Sequence, residues 1–490
     1  MTRSLASGDR LRRLPSGGRL SPALAGILLS ILSGFVSYLV VSRMGVPFLV
    51  LAVGGLIAAI ALLHVSLRDI SIPVLFWLLS MIFYRGILIV HMPALPDFSF
   101  DRLMLIWVIS IFSVKLIIGR SRLRGPYLAD WLILAHTTYV LVQSQMVGSI
   151  HFHAWVISNL SPCFAYFIGK YVIEDQKALR NVVLFFLAVS VYYYVQSIAQ
   201  RLGQDFLVWP KVILDRHAPG LWHEGRSRGP VLHPPLFGQL MAMFLLVHFF
   251  LLARERRPLR RSLLAISLAL AMLGQLFNYT RGPWLALGVA LAVLAVLRRG
   301  YRRTLGVLVL VALLAGALGI TQLANTEFFQ QRMQNTGTIE NRMGFLANAM
   351  LMIQDHPLFG IGYFRWGEFR GLYNQGVYIP FYGYIKKRMG AETAIHDIYL
   401  GRTAEEGLVS ALLLLGFTIV VARAFVRQWH ANPQQEWFNR DLLALFAAMM
   451  ACYLVGGMVI DYRYFDLVNV VFFLMAGIIY GYRDDRHHVT

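Results

Sequence analysis

The chain has 490 residues, of which 57% are hydrophobic and 14% are charged, and its formal net charge is +20. Soluble domains carry about 25% charged residues, so this composition excludes an ordinary soluble protein and predicts one that crosses a membrane repeatedly. A basic soluble protein would suggest a nucleic-acid partner. Here the basic residues lie in short loops between apolar segments. We therefore expect the partner to be the lipid bilayer and not a nucleic acid.

Long apolar segments run along the chain from residue 22 to residue 482. Because a spanning helix needs about 20 mostly apolar residues, they predict an all-α polytopic membrane protein with about 14 transmembrane helices. The predicted spans are 22–42, 46–67, 71–91, 100–119, 127–147, 153–173, 181–200, 233–253, 262–278, 283–297, 304–324, 398–422, 442–460 and 466–482. No small-residue cleavage site follows the first span, so we interpret it as a retained helix and not as a signal peptide.

Clusters of arginine between the predicted spans indicate how the chain is oriented. The clusters lie at 10–19, 120–124, 254–261, 298–303 and 423–427. All of them fall on one side of the membrane if every predicted span is present, and basic loops mark the cytoplasmic side. We therefore predict a cytoplasmic N-terminus at 1–21, a single membrane domain at 22–482 and a cytoplasmic tail at 483–490.

Two long connections lie on the opposite, outer side, and long connections in compact membrane proteins often carry function. One covers 201–232, and the other is an aromatic-rich loop at 325–397, between predicted spans 11 and 12. Within the second loop, apolar residues at helical spacing predict an amphipathic helix over 340–354. Its predicted apolar face consists of Met343, Leu346, Met350 and Ile353. The alternative to a functional role is that this helix only lies along the membrane interface.

A tight connection, Asn278–Trp284, separates the predicted spans at 262–278 and 283–297. It places Arg281 at the outer edge of the membrane. Because charge at membrane depth is expensive, we predict that Arg281 carries function. The structural alternative is that Arg281 caps a helix turn.

Four polar residues from separate parts of the sequence are predicted to lie on the outer side. They are Arg228, Arg281, Arg342 and His396. Such a set suits chemistry on a phosphorylated lipid, because guanidinium groups neutralise a departing diphosphate and histidine can take the proton of a hydroxyl acceptor. Each residue also has an ordinary structural explanation, as an interface anchor, a cap, a solvated side chain or a hydrogen-bonded residue at the end of a span.

Several short motifs follow one another along residues 226–415. They are Arg228–Pro230 with His233–Pro235, Asn278–Trp284, Asn341-Arg342 with Asp355–Gly362, and His396–Leu400 with Glu405–Leu408. Together they resemble the motifs of the O-antigen ligase and polymerase family of bacterial envelope proteins. The likeness includes the order of the motifs, their spacing and the predicted membrane side.

The resemblance implies an inverting glycosyltransferase that faces the periplasm from the bacterial inner membrane and needs no metal or cofactor. Its donor would be a polyprenyl-diphosphate-linked glycan, and its acceptor a hydroxyl of another glycan or of a lipid core. By motif match, Arg281 and Arg228 would bind the diphosphate, and His396 would position or activate the acceptor hydroxyl. Arg342 and Tyr399 are carried over as further substrate-binding residues.

Two positions depart from the family pattern. Asp397 stands where the family usually has asparagine, and a carboxylate beside His396 is expected to raise the pKa of the imidazole. Pro235 stands where an asparagine often follows the proline, which weakens the motif match of Arg228.

Other charged residues are secondary candidates for the site. Glu405 follows His396 by nine residues and so points away from it on a helix, which predicts that Glu405 orients another loop. Arg85, in the outer half of the third span, either snorkels to the interface or faces the diphosphate. Asp461, Arg463 and Asp466 share the last outer loop, and we expect them to pair with one another.

The sequence leaves several functions open. A polymerase for exopolysaccharide or O-antigen is slightly favoured over an O-antigen ligase by the Glu405–Leu408 motif and the large aromatic loop. A flippase for lipid-linked oligosaccharides would carry charges near the bilayer midplane and show two similar halves, which this sequence does not. A protein O-oligosaccharyltransferase of the same fold is a further alternative.

Overall fold

A computed structural model gives the structure of two compact units, residues 1–68 and residues 69–490. The described residues are 57, 60–83, 89–90, 98–119, 121, 123, 125–147, 154–218, 225–306, 337–373, 377–379, 383–385, 395–463 and 465–482. In the first unit they include a helical stretch at 60–68. All the elements that follow belong to the second unit.

The second unit is built mainly from α-helices. They are α1 (Ser71–Phe83), α2 (Phe100–Ile117), α3 (Leu128–Val147), α4 (Ser161–Tyr171), α5 (Gln176–Leu202), α6 (Pro234–Arg254), α7 (Pro258–Phe277), α8 (Arg281–Leu297), α9 (Gly337–Asp355), α10 (Trp366–Phe369), α11 (Ile398–Ala431), α12 (Arg440–Gly457) and α13 (Asp466–Gly481). A π-helical turn at Val156–Leu160 precedes α4, and 3₁₀ turns lie at Asp205–Leu207 and Lys211–Leu214.

Two short antiparallel strand pairs accompany the helices. They are β1 (Ile89–Val90) with β2 (Phe98–Ser99), and β3 (Val377–Ile379) with β4 (Gly383–Ile385), in which Tyr378 lies opposite Tyr384. The predicted helical fold is confirmed in the described residues, and the prediction omitted these two short strand pairs. Pairs this short give almost no period-2 signal in a sequence, so helix periodicity alone does not find them.

Within the described residues, five helices, α5, α6, α7, α11 and α12, are long and apolar enough to cross a membrane, and α1, α8 and α13 are shorter apolar helices. Each coincides with a predicted span, so the protein is a multi-pass membrane protein. The number of about 14 spans stays a prediction. The N-terminal segment 1–21, span 22–42, tail 483–490 and most of spans 46–67 and 304–324 lie outside the described residues.

Helix α6 forms the centre of the bundle. All its side chains from Leu236 to Leu251 are buried, and it packs against α5, α7, α8 and α12. A helix that is apolar on every face is expected in such an interior position. Helices α4 and α13 approach closely because Gly477 has no side chain, and a Cβ there would collide with the Tyr166 carbonyl.

The connections that concern function meet at one end of the bundle, named the hinge end, where α7 and α12 finish and α6, α8, α11 and α13 begin. Four contacts define it: Asn278 with Pro234, Gly282 with Val459, Gly457 with Ile398, and His233 with Phe465. The starts of four helices are therefore held together by contacts between residues far apart in the sequence.

Candidate functional site

The hinge between α7 and α8 is as short as the sequence predicted, with three residues between Phe277 and Arg281. The buried Asn278 amide donates to the Ser227 carbonyl at 2.9 Å and to the Pro234 carbonyl at 3.0 Å. These bonds tie the hinge to the loop that carries Arg228. Arg281 is exposed in the first turn of α8. Helix N-termini present backbone amides without intrahelical partners, which favours anions there.

Arg228 occupies a different environment from Arg281. Its side chain is 1% exposed, and its guanidinium donates to the Ile213 carbonyl at 3.0 Å, to the Val212 carbonyl at 3.4 Å and to the Asp215 carbonyl. Burial lowers the pKa of Arg228 below its ordinary value, while Asp215 opposes that shift. These contacts show that Arg228 fixes the fold of its own loop. Its predicted contact with a diphosphate stays a prediction.

The end of α12 joins the start of α8 to the start of α11. A Cβ added at Gly282 would lie 2.7 Å from Val459, so α8 begins in close contact with this end. The Tyr399 hydroxyl donates to the Leu454 carbonyl at 2.7 Å, and a Cβ at Gly457 would lie 3.3 Å from the same hydroxyl. The helix turns that follow Arg281 and His396 thus pack on one common element.

His396 has a left-handed backbone conformation, with φ of 61°, immediately before α11. Its ring is half-buried and meets the Phe345 ring of α9 edge-on, with centroids 5.9 Å apart. The neighbouring Asp397 caps α11, because its carboxylate accepts the amides of Tyr399 at 2.8 Å and Leu400 at 2.9 Å. Burial raises the pKa of the Asp397 carboxyl. An electrostatic effect of Asp397 on His396 stays a prediction.

Helix α9 brings Arg342 to the same region. Arg342 is half-buried and stands three residues before Phe345, so both lie on one side of the helix. The buried stripe of α9 is Phe345, Ala349 and Met352. It packs with Ile361, Trp366, Ile395 and Ala404.

The predicted apolar face of α9 was partly wrong, because Met350 is 48% exposed. Leu346 and Ile353 border the buried stripe, which shows that the true face is displaced from the predicted one. Helix α9 packs against α11, and the side of α9 in this contact is the one that carries the buried Phe345. Periodicity on four apolar positions could not indicate that contact.

Residues with strained backbone conformations lie close to these connections. Leu232, Tyr279, Phe364 and His396 have left-handed φ values of 54°, 49°, 65° and 61°. Each such residue other than glycine costs about 1–3 kcal/mol, and residues of this kind cluster at functional sites. Asn432, the remaining one in the described ranges, is an ordinary helix C-cap.

Helix α11 is interrupted at Gly407, whose φ of 78° is not helical. The turn at 357–362 fills the interruption, and a Cβ at Gly407 would collide with the Leu358 carbonyl. Three backbone bonds join them: Ile361 to the Ala404 carbonyl, Gly362 to the Glu405 carbonyl and Leu408 to the Pro357 carbonyl, each 2.9 Å. Backbone groups freed by a break in a membrane helix need such partners.

Glu405 fixes the next part of the same loop. It is fully buried, and its carboxylate accepts the Phe364 amide at 3.1 Å and the Trp366 amide at 2.7 Å. This confirms the expectation that Glu405 orients another loop. Arg463 also donates to Glu405, at 2.9 Å, and to Asp461, at 2.7 Å. The expected pairing of Arg463 with Asp461 is therefore confirmed, whereas its partnership with Glu405 was missed.

Asp466 has a contact of its own at the start of α13, where its carboxylate accepts the amide of the following residue, Leu467, at 2.8 Å. A second buried charge cluster surrounds Glu406, the residue that follows Glu405 in α11. Glu406 accepts hydrogen bonds from Arg402 at 3.1 Å and from Ser410, and lies 3.5 Å from His136 of α3.

Sequence reasoning did not identify this Glu406 cluster. The spacing of Arg402 and Glu406 by four residues within an apolar span was an available signal, because intramembrane charges are expected to pair. The contribution of α3 could not be seen from spacing.

Arg85 lies outside the described residues. Cys163 and Cys452 are buried free thiols. Over the described ranges, no three side chains of His, Cys, Asp or Glu are grouped as a metal site requires. Metal independence stays a prediction.

A bundle of apolar helices with strained backbone residues at its hinge end has the architecture of a multi-pass membrane protein. Residues 266–415 match the sequence model of a family described as O-antigen ligase. The predicted resemblance is therefore confirmed over these residues, which include Arg281, Arg342, His396 and Glu405. The matched region begins after Arg228 and ends before Arg463. A comparison with curated proteins finds no match.

Proposed function

We propose that the protein is an inverting, metal-independent glycosyltransferase of the bacterial inner membrane with its site in the periplasm. It transfers polyprenyl-diphosphate-linked glycan to a sugar hydroxyl and so polymerises exopolysaccharide or O-antigen, or ligates O-antigen to a lipid core. The O-antigen ligase match implies glycan transfer of this general kind. The observation that carries the proposal is the packing of both Gly282 and Tyr399 on the end of α12, next to Arg281 and His396.

Arg281 is proposed to bind the donor diphosphate. Its guanidinium is exposed, stands at a helix N-terminus and can form two parallel hydrogen bonds with phosphate oxygens. Arg342 is proposed as a second cation toward the same anion, because α9 packs beside His396. Phosphate charge grows as the glycan leaves, so cations held in place beforehand stabilise the transition state.

His396 is proposed to act on the acceptor. The acceptor oxygen attacks the anomeric carbon of the donor, the hydroxyl proton passes to His396, and the bond from that carbon to the diphosphate breaks. The polyprenyl diphosphate leaves with the electron pair. A single displacement of this kind inverts the configuration at the anomeric carbon. Tyr399 supports the step by anchoring the first turn of α11 to Leu454.

Reconstitution tests this function. Purified protein in liposomes should elongate or transfer a polyprenyl-diphosphate-linked glycan, and excess chelator should leave the rate unchanged. Activity lost with chelator and restored by one divalent metal would contradict metal independence. In cells that lack the protein, accumulated single lipid-linked repeats indicate a polymerase, and accumulated long lipid-linked polymer indicates a ligase. Loss of lipid-linked repeats from the outer leaflet would instead indicate a flippase.

A cysteine substitution tests the periplasmic orientation. Leu372 is 71% exposed in the long loop, and both native cysteines are buried, so background labelling should be low. Leu372→Cys in spheroplasts should react with a membrane-impermeant thiol reagent. Labelling that appears after lysis but not before would reverse the orientation and reject a periplasmic site.

A further inference from the structure

Arg463 lies at the centre of a buried charge cluster to which the proposed chemistry assigns no role. Its side chain is 0% exposed, and its Nε and Nη2 donate to Asp461 at 2.9 Å and 2.7 Å. Its Nη1 donates to Glu405 at 2.9 Å. One guanidinium therefore makes a two-pronged contact with Asp461 and a separate contact with Glu405, and a lysine ammonium lacks the planar fork that the Asp461 contact uses.

The cluster continues through Glu405 into the aromatic loop. The two Glu405 oxygens accept the amides of Phe364 and Trp366. Phe364 has a left-handed backbone, and the residue is 38% exposed. Trp366, in contrast, is buried. Glu405 thus holds an unfavourable backbone conformation that presents one aromatic ring to the surroundings.

The other side of the cluster is α11. A Cβ at Gly401 would lie 2.6 Å from the Arg463 guanidinium carbon, so Arg463 packs directly on the helix segment that follows His396. That segment ends at Gly407, and Asp397 caps its start. Arg463 and Glu405 therefore connect the His396 segment to the loop of Phe364.

We infer that Arg463 is a positioning residue for the acceptor: through Glu405 it locks the loop at 363–366 onto the α11 segment that begins after His396. The exposed Phe364 ring is then placed to stack on a sugar ring of the acceptor glycan. This inference rests on the proposed transfer reaction. It concerns the acceptor and not the donor, because the contacts of Arg463 lead to α11 and the loop, whereas Arg281 belongs to the α7–α8 hinge.

Arg463→Lys and Glu405→Gln in the full-length protein test the inference. Arg463→Lys keeps the charge and loses the fork, and Glu405→Gln keeps the shape and loses the charge. Misplacement by about 1 Å can cost about 100-fold in rate, so we expect each variant to lower kcat/KM for the acceptor by about 10- to 100-fold. Donor affinity should be unchanged. The matched control is Arg365→Lys, which alters the exposed Arg365–Glu368 pair of the same loop.

Hydrogen exchange adds a readout that a general loss of stability would not reproduce. Exchange at the Phe364 and Trp366 amides should accelerate in both variants, while α13 keeps the exchange rates of the unmodified protein. Unchanged acceptor kinetics, a donor defect as large as the acceptor defect, or equal acceleration throughout the protein would each overturn the inference. If Arg463→Lys does not fold, Glu405→Gln decides the matter by the same criteria.

The same experiments separate this inference from the proposed function. If the unmodified protein transfers no lipid-linked glycan, the proposed function fails and the acceptor role fails with it. Accelerated exchange confined to the 363–366 loop would still support the mechanical link through Arg463 and Glu405. If the unmodified protein is active and both variants match it, the positioning role alone is rejected.

Discussion

Arg463 and Arg281 both stand at the hinge end, yet their surroundings differ in a way that separates their roles. Arg463 is fully buried between Asp461 and Glu405, whereas Arg281 is exposed in the first turn of α8. Withdrawing a charge from solvent costs several kcal/mol unless partners compensate it, so Arg463 is committed to its two carboxylates. An exposed guanidinium beside helix amides is placed to donate hydrogen bonds to an incoming phosphate.

Arg228 belongs with Arg463 by this criterion, although the sequence grouped it with Arg281. Its guanidinium is buried and bound to the carbonyls of its own loop. Burial, rather than residue type, therefore distinguishes the arginines that hold loops from the exposed arginine proposed to bind substrate. Changing each residue in turn tests this comparison.

The largest effect is expected from His396→Ala, which removes the group that takes the acceptor proton. General-base assistance is worth about 10²- to 10⁴-fold, so transfer should fall by that factor while donor affinity is retained. Initial transfer rates and donor binding at matched expression are the measurements. His430→Ala, at the far end of α11, is the control. Near-normal transfer by His396→Ala would leave the arginines as the supported part of the site.

Arg281→Lys should have the next largest effect. The substitution keeps the charge but loses the two-pronged contact, and removing one preorganised donor costs about 10²- to 10³-fold in rate. We also expect weaker donor binding and an unchanged melting temperature. Arg260→Lys, exposed at the opposite end of α7, controls for the substitution itself. Full donor affinity in Arg281→Lys would place Arg281 with the loop-holding arginines.

Arg228→Met should act mainly on stability. Removing the guanidinium takes away its hydrogen bonds to the carbonyls of Val212, Ile213 and Asp215, and we expect a loss of about 3 kcal/mol in the free energy of unfolding. Donor affinity per folded molecule should be retained, as measured by binding after separation of aggregated protein. A stable Arg228→Met protein with weak donor binding would instead support the diphosphate contact that the sequence predicted.

Arg365→Lys should have the smallest effect. Arg365 and Glu368 form an exposed pair at 2.8 Å, and exposed pairs contribute about 0–1 kcal/mol. We expect the melting temperature and the transfer rate to match those of the unmodified protein. A large loss in the melting temperature or the transfer rate would show that exposure does not distinguish arginines that hold loops from those that do not.

The sequence was most informative about features that depend on residues close to one another in the chain. Apolar length predicted the membrane helices, and the three-residue hinge before Arg281 is present as expected. The motif order predicted the family over the matched residues. The nine-residue separation of Glu405 from His396 indicated a loop-holding role, because helical geometry relates neighbours on one helix.

Contacts between distant segments were beyond this reasoning. Arg463 and Glu405 are 58 residues apart, and the Glu406 cluster includes His136 from another helix. The buried face of α9 likewise depended on its packing against α11. None of these partnerships leaves a periodic signal in the chain.

The sequence alone therefore determined that this is a multi-pass helical membrane protein with an O-antigen ligase-like region, because apolar length and local motifs are properties of neighbouring residues. The tertiary structure alone decided which arginines are buried and which remain exposed. That distinction depends on packing and desolvation, which arise when helices distant in the chain come together. It assigns Arg228 and Arg463 to holding the loops and leaves Arg281 exposed at the hinge end.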